Sequence, residues 1–335
     1  MPGEVITMAH GGGGTRMLDL LERTVFPALG EEVLLGAEDA AVLPAPEGRL
    51  AVTTDSFVVR PLFFSGGDIG KLAVCGTVND LAMVGARPLY LTLGLIIEEG
   101  LEIRTLERVL ASVAATAAEA GVRVVAGDTK VVERGKADGL YVNTSGVGVI
   151  PEGVDVSISG ARPGDVLLLN GFIGDHGVAV LAEREEYSFS VDLSSDCAPL
   201  AGLVADMLSA GEVHSMRDPT RGGLAAALKE MSAASGWALE VEEESVPVRE
   251  QVRGVCELLG LDPLYVANEG KLVAVVPQRD VEAVLEAMRS HPLGADSTAI
   301  GRVIEGKKGR VELITALGSH RLLRMPSGEQ LPRIC

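Results

Sequence analysis

The chain has 335 residues, 47% of them apolar and only 3% aromatic, with 41 glycines and a formal net charge of −18. That length is comfortable for two domains with cores of Val, Leu, Ala and Ile, and it suits an α/β or α+β enzyme better than an all-β sandwich. So acidic a surface repels phosphate backbones and anionic lipid and argues against nucleic acid and membrane as partners, whereas a nucleotide stays open because a metal ion reverses the local charge.

The opening Met1-Pro2-Gly3-Glu4-Val5 lacks the basic and apolar regions of a secretory signal. Four scattered cysteines (Cys75, Cys197, Cys256, Cys335) show no metal or redox spacing, so free thiols in a cytoplasmic protein are expected. After the glycine run Gly11-Gly12-Gly13-Gly14, residues 17–26 have helical periodicity and 50–54 read as a strand. Residues 68–84 read as a helix N-capped by Asp68, 89–97 as a strand, 102–120 as an amphipathic helix, and 122–126 and 140–150 as strands. Pro151-Glu152-Gly153 makes a break. Beyond it a strand is expected at 165–170, helices at 175–183, 196–210 and 221–234, a strand at 272–276, a helix at 280–289, and then two short strands. The expectation is two α/β domains, 1–155 and 156–325, and a mobile tail, 326–335, whose ten residues would reach roughly 33–36 Å if extended.

No Walker A loop is present: Gly66-Gly67-Asp68-Ile69-Gly70-Lys71-Leu72 has the wrong glycine spacing and no hydroxyl residue after the lysine. What stands out is a series of aspartates read at strand ends or in turns: Asp39, Asp55, Asp80, Asp128 and Asp218. Each alone is accounted for as a cap or a turn. As a set in apolar surroundings they fit carboxylates that share a hard cation, and magnesium keeps positions open for substrate phosphates. The glycine run could offer N–H groups to phosphate or be a loose arm, and Arg221-Gly222-Gly223 opens a helix that could receive an anion or be capped in the ordinary way. His176, in Gly174-Asp175-His176-Gly177, is a second-choice base beside a structural account. Cys335 ends the sequence on a tether, and a tethered thiol can be loaded in one place and delivered to another.

Several strings resemble the HypE family of hydrogenase maturation proteins. They are Gly66-Gly67-Asp68-Ile69-Gly70-Lys71 running on to Val78-Asn79-Asp80-Leu81-Ala82, Gly127-Asp128-Thr129-Lys130, Val142-Asn143-Thr144-Ser145-Gly146, and Ile173-Gly174-Asp175-His176-Gly177. Asp218-Pro219-Thr220-Arg221-Gly222-Gly223, Asn268-Glu269-Gly270-Lys271 and Pro332-Arg333-Ile334-Cys335 complete the set, so the likeness runs over nearly the whole chain. The aspartate motifs are shared with a wider PurM-like superfamily of aminoimidazole ribonucleotide synthetase, selenophosphate synthetase and thiamine monophosphate kinase; the Pro-Arg-Ile-Cys ending is specific to HypE. Four glycines stand where His-Gly-Ser-Gly-Gly is the family pattern.

The resemblance implies a two-domain PurM-like α/β (α+β) fold, a homodimer whose N-terminal domains join in a β-barrel, and ATP with Mg2+ between the domains near the dimer interface. A carbamoyltransferase, HypF, would load the Cys335 thiol. The protein would dehydrate the thiocarboxamide to a thiocyanate, and a HypC–HypD scaffold complex would receive the cyano group as a cyanide ligand of nickel–iron hydrogenase. Metal ligation is implied for Asp39, Asp55, Asp80 and Asp128. Nucleotide contacts are implied for Gly12, Gly13, Asp55, Asn79, Asp80, Asp128, Asp218 and Arg221. Catalysis falls to Cys335, with Glu269 as base and Lys130 stabilising negative charge. Two other functions share these parts: a small-molecule kinase such as thiamine monophosphate kinase, which has no use for Cys335, and a non-enzymatic ATP-gated carrier, which has no use for ATP turnover.

Overall fold

The strands fall into two main sheets in the computed structural model, which describes residues 4–30, 40–184, 191–326, 328, 331 and 333–335. The chain opens on α1 (Thr15–Leu20), which passes through a π turn into α2 (Phe26–Leu29). The first half then runs β1 (Arg49–Phe57), the short pair β2 (Phe63–Phe64) and β3 (Gly67–Asp68), α3 (Ile69–Met83), β4 (Arg87–Glu98), α4 (Ile103–Glu119), β5 (Arg123–Val132) and β6 (Leu140–Ile150). The second half runs β7 (Val166–Leu169), α5 (Asp175–Ala182), α6 (Ala201–Ala210), β8 (Ser215–Arg217), α7 (Gly223–Ser235), β9 (Ala238–Glu242), α8 (Glu250–Leu259), β10 (Val273–Val276), α9 (Val281–Ser290), β11 (Thr298–Ile304), β12 (Val311–Ile314) and β13 (His320–Leu322).

The first sheet has the order β1-β6-β4-β5. Its β4–β5 pair is parallel, and α4 supplies the crossover that a parallel pair needs. The second sheet has the order β13-β12-β9-β11-β7-β10-β8. Between the halves lies α3. Asp68 starts it, its Oδ1 accepting from the Gly70 and Lys71 N–H groups at 2.7 and 3.2 Å. The helix is buried on nearly every side, against β1 and β6 on one flank and α6 on the other. Its small residues Ala73, Cys75 and Gly76 admit that close approach; a Cβ on Gly76 would sit 2.9 Å from the Phe57 ring.

Only one face of the first sheet is covered by helices. On β1 the alternation turns Thr53, Asp55 and Phe57 toward α3 and leaves Leu50 and Val52 on the open face, 60% and 71% exposed. Ile96 of β4 is exposed there as well.

Three sequence expectations change. Asp55 and Asp128 lie within strands, not at strand ends or in turns, and Asp80 lies inside the helix expected at 68–84. The helix expected at 196–210 begins only at Ala201. Residues 196–200 stay outside the helix because Pro199 interrupts them and their polar groups have partners elsewhere: Asp196 accepts from Glu269 and Gly270 N–H groups, and Asn79 bonds Ala198 and Leu200. Three strands, β11 to β13, follow α9 where two were expected. The structure adds β8, β9 and α8, the last held by Val252, Val255 and Cys256 on one face.

Candidate active site

Asp55 and Asp80 come together first, because β1 and α3 pack face to face. Asp80 is half-buried and its Oδ2 accepts from Thr53 Oγ1 at 2.8 Å. Burial, and then the negative charge of Asp55, hold the Asp80 carboxyl above the usual carboxylate range, against the Thr53 hydrogen bond and the cations Arg217 and Arg221. From the second half, the turn after β8 brings Asp218, buried and pushed up to about 6 by burial and then by Asp80, with Asp55 adding to it. The turn before β10 brings Glu269, which is 3% exposed. Burial, then the Cys197 thiol, Asp218, Asp196 and Asp55, raise its carboxyl well above the ordinary value.

The Glu269 turn approaches Asp196 so closely that a Cβ on Gly270 would lie 1.8 Å from the Asp196 carbonyl oxygen; only glycine fits. Asn79 braces the same turn. Its Nδ2 donates to the Ala198 and Glu269 carbonyls at 3.1 and 3.2 Å, and its Oδ1 accepts from the Leu200 N–H at 2.8 Å. An amide engaged in this way serves the site by holding α3 against the Glu269 turn, a different occupation from the nucleotide contact the resemblance implies. Arg221 lies near enough to Asp80 to lower its pKa.

Burial and neighbouring carboxylates raise Asp80, Asp218 and Glu269 together, and Arg217, with Arg221 at Asp80, offsets the rise only in part. In the nucleotide-free protein, Asp218→Asn should therefore raise the melting temperature at pH 8 and change little below about pH 4, under the unfolded value of an aspartate. A carboxyl whose folded pKa is raised contributes stability at low pH that is lost as pH rises through about 6, and Asn keeps the neutral form. A gain of about 2–4 °C per kcal/mol is the scale for a domain of this size. Equal melting curves at pH 8 would remove Asp218 from the cluster.

Asp128 and Lys130 are elsewhere. Across the sheet, Asp55 pairs with Thr144, Thr144 with Leu93, and Leu93 with Gly127. Cross-strand partners point the same way, so Asp128, the next residue, points to the open face, and β5 is three strand spacings, roughly 14 Å, from β1. There Lys130 Nζ donates to Asp128 Oδ1 at 2.6 Å and holds that carboxyl below its usual range. The glycine run lies beside this strand: a Cβ on Gly11 would sit 2.9 Å from Val131, while Gly12 has space and Gly13 adopts φ +74°. Within one chain, then, the structure makes two separate groups: Asp55, Asp80, Asp218, Arg221 and Glu269; and Gly12, Gly13, Asp128 and Lys130. Asp39 lies outside the described residues. Among the described residues no three His, Cys, Asp or Glu side chains are placed to hold a metal by themselves.

Arg333, Ile334 and Cys335 lie along the chain that continues β1. The Val58 N–H donates to the Cys335 carbonyl at 3.3 Å and the Arg60 N–H to the Arg333 carbonyl at 3.2 Å. The Arg333 guanidinium donates to the Val58 carbonyl and pairs with Asp138. Ile334 is 3% exposed, belongs to the first core, and lines one cavity together with Ala267. Ala267 precedes the candidate base Glu269 by two residues. His176 is buried with Nδ1 on Ser195 and Nε2 on the Ile334 carbonyl, which leaves no ring nitrogen to act as the second-choice base. Sequence reasoning had no signal for this contact beyond the Gly174-Asp175-His176-Gly177 string itself.

Two family models match the chain: AIR synthase related protein, N-terminal domain, over residues 37–150, and AIR synthase related protein, C-terminal domain, over residues 162–314. Carbamoyl dehydratase HypE of Rhizobium leguminosarum bv. viciae is 50% identical over 332 residues, covering 98% of this chain and 95% of that protein. A crystal structure of hydrogenase maturation protein HypE in complex with ATP superposes with a TM-score of 0.94 at 47% identity, over 98% of this chain and 99% of that one. A chain from a HypE–HypF complex matches with a TM-score of 0.81 at 49% identity, over 92% and 99%. Thiamine-monophosphate kinase from Stenotrophomonas maltophilia K279a, 21% identical with a TM-score of 0.68, shares the fold alone.

Proposed function

Because the chain belongs to the AIR synthase related family, and within it to the HypE carbamoyl dehydratases, we propose that it dehydrates a carbamoyl group carried on Cys335 to a thiocyanate, with ATP cleaved to ADP and phosphate, for the cyanide ligands of a nickel–iron hydrogenase. The observation that supports this reading is that the Cys335 end of the chain is seated, its carbonyl accepting from the Val58 N–H three residues beyond Asp55, while Asp55, Asp80, Asp218 and Glu269 act on one another's charge.

The chemistry follows from what an amide lacks. Its oxygen is a poor leaving group. The γ-phosphoryl group moves onto that oxygen and one nitrogen proton is lost, giving an S-linked imidoyl phosphate. Removal of the second nitrogen proton expels phosphate and leaves S–C≡N. Glu269 is the base for these protons: burial raises its carboxyl above the ordinary value, which makes its carboxylate a stronger base. Cys335 carries the group through both steps. Asp55 and Asp80, with Asp218 beside them, offer hard oxygen donors, and the raised carboxyls of Asp80 and Asp218 would be relieved by a cation, which fits magnesium. That ion would neutralise charge on the transferring phosphoryl group.

Gly12, Gly13, Asp128 and Lys130 enter the same site from a second copy of the chain. The uncovered sheet face, with Leu50, Val52 and Ile96 exposed, supports a homodimer closed through a β-barrel. Lys130 of the second copy then stabilises negative charge at the carboxamide, and Gly12 and Gly13 receive phosphate through their N–H groups. A HypF-type carbamoyltransferase loads Cys335, a pairing supported by the HypE–HypF complex, and a HypC–HypD scaffold takes the cyano group. The tail moves between these partners and the site. Cytoplasmic work accords with the reduced Cys75, Cys197 and Cys256; no described helix is long and apolar enough to cross a membrane.

Incubation of the Cys335-carbamoylated protein with Mg-ATP tests the reading by intact mass. Loss of one water with stoichiometric ADP is expected. Unchanged mass with phosphorylation of an added small acceptor would establish the kinase alternative, and unchanged mass without ADP the carrier. Asp80→Asn should weaken Mg-ATP binding by about tenfold or more without unfolding, because it removes one charged oxygen donor. Unchanged affinity in calorimetry would take Asp80 out of the nucleotide site.

A further inference from the structure

His176 stands in the first turn of α5, wholly buried. Its Nε2 is 2.8 Å from the Ile334 carbonyl oxygen and its Nδ1 is 2.8 Å from Ser195 Oγ. A carbonyl only accepts, so Nε2 carries the proton and Nδ1 is the acceptor. The Ser195 hydroxyl fits that assignment. It accepts from the Cys197 N–H at 3.1 Å, which leaves its own proton for Nδ1. Burial lowers the imidazole pKa and keeps the ring neutral, so one tautomer persists. Phe64 meets the ring edge-on, with centroids 5.4 Å apart at 88°, and fixes its plane. The Ser195 N–H is itself tied to the Ser65 carbonyl at 2.8 Å.

The neighbours of Ile334 are read in the same manner. Arg184 donates to the Arg333 carbonyl at 2.9 Å and to the Arg60 carbonyl at 3.0 Å. With the Val58 and Arg60 N–H groups, the carbonyls of Arg333, Ile334 and Cys335 each meet a donor. Main-chain groups carry this recognition, so it is independent of what the cysteine bears on its sulfur. Among these donors His176 alone is a fully buried side chain, and its target immediately precedes Cys335.

We propose that His176 is a positioning residue for the dehydration: its Nε2–H, oriented by Ser195, latches the Ile334 carbonyl and so decides whether Cys335 rests seated against Val58 or is released outward. The latch itself rests on geometry; its consequence for turnover rests on the carrier reading of Cys335. A carbonyl that loses a buried donor is left unsatisfied, so the seated state weakens while the released state, hydrated, does not.

The latch can be read without any turnover, through the rate at which iodoacetamide alkylates Cys335 in the uncarbamoylated, nucleotide-free protein, followed by mass analysis of the cysteine peptides. Buried Cys75, Cys197 and Cys256 serve as internal controls of folding. In His176→Leu, Cys335 should react about tenfold faster or more, the scale for one buried hydrogen bond lost with its partner left unpaired. His176→Gln, whose amide N–H can occupy the Nε2 position, should restore most of the protection. Ser195→Ala, which unfixes the tautomer and leaves the ring in place, should speed Cys335 alkylation severalfold. In carbamoylated protein the same variants should slow single-turnover dehydration with Mg-ATP affinity unchanged. Wild-type alkylation of Cys335 in His176→Leu with the other cysteines still protected, or equal rates in the Leu and Gln variants, would overturn the proposal; if His176→Leu exposes all four cysteines, Ser195→Ala decides, and a wild-type rate there overturns it. Altered alkylation with no dehydration in wild type would instead condemn the carrier reading and leave the latch standing.

Discussion

Cys335→Ala should abolish thiocyanate formation completely while the fold and Mg-ATP affinity remain those of the wild type. The main chain of residue 335 accepts from Val58 through its carbonyl, which alanine keeps, and Ile334 remains to anchor the tail in the first core. What disappears is the only thiol placed to be loaded. The remaining cysteines cannot take over: Cys75, Cys197 and Cys256 are buried. The hydrogen bond with Cys75 and then burial raise the Cys197 thiol well above its ordinary value, and burial pushes Cys256 up to about 11, so neither offers thiolate at neutral pH. Intact mass after treatment with a carbamoyltransferase, carbamoyl donor and Mg-ATP checks this. A carbamoyl or cyano adduct on Cys335→Ala would show that the group travels on another residue.

Glu269→Gln should keep Mg-ATP binding and tail seating and lose dehydration by about 10²–10⁴-fold, the range for removing a positioned base. The variant is nearly isosteric, and the backbone bonds that set the turn, to Asn79 and Asp196, do not involve the side chain. Its pH behaviour is distinctive. Because burial raises the Glu269 carboxyl, the wild-type rate should climb with pH through that raised pKa as the base form appears. In Glu269→Gln that limb should vanish. Stability runs the opposite way: a raised carboxyl pKa stabilises at low pH and the contribution is lost as pH rises, so Glu269→Gln should be the more stable protein on the alkaline side. Single-turnover rates across pH check both proteins. A rising limb that survives in Glu269→Gln would assign the base elsewhere.

Much of the site was legible from residue type and local spacing. Asp68 as the N-cap of α3 and the span of β6 at 140–150 follow from short-range rules: side-chain oxygens cap free N–H groups, and alternation marks strands. Expectation failed where a long-range partner outbid a local one. Residues 196–200 have a helical look until Asn79, more than a hundred positions away in sequence, bonds their main chain.

Residue types and spacing alone singled out Cys335 as a thiol on a tether and Asp55, Asp80 and Asp218 in separate motifs as candidates, whereas Glu269 entered through family likeness. Family likeness, carried by those same motifs, determined the reaction. Only the tertiary structure decided who meets whom. The pleat sends Asp55 and Asp128 to opposite faces of one sheet, because neighbouring residues along a strand point opposite ways and the register aligns Asp55 with Gly127 rather than Asp128. Burial and crowding, which belong to the packed chain and not to any one residue, raise Glu269 and Asp218. And His176, unremarkable between its glycine neighbours in the sequence, meets the Ile334 carbonyl across 158 positions only because the second half of the fold closes over the tail.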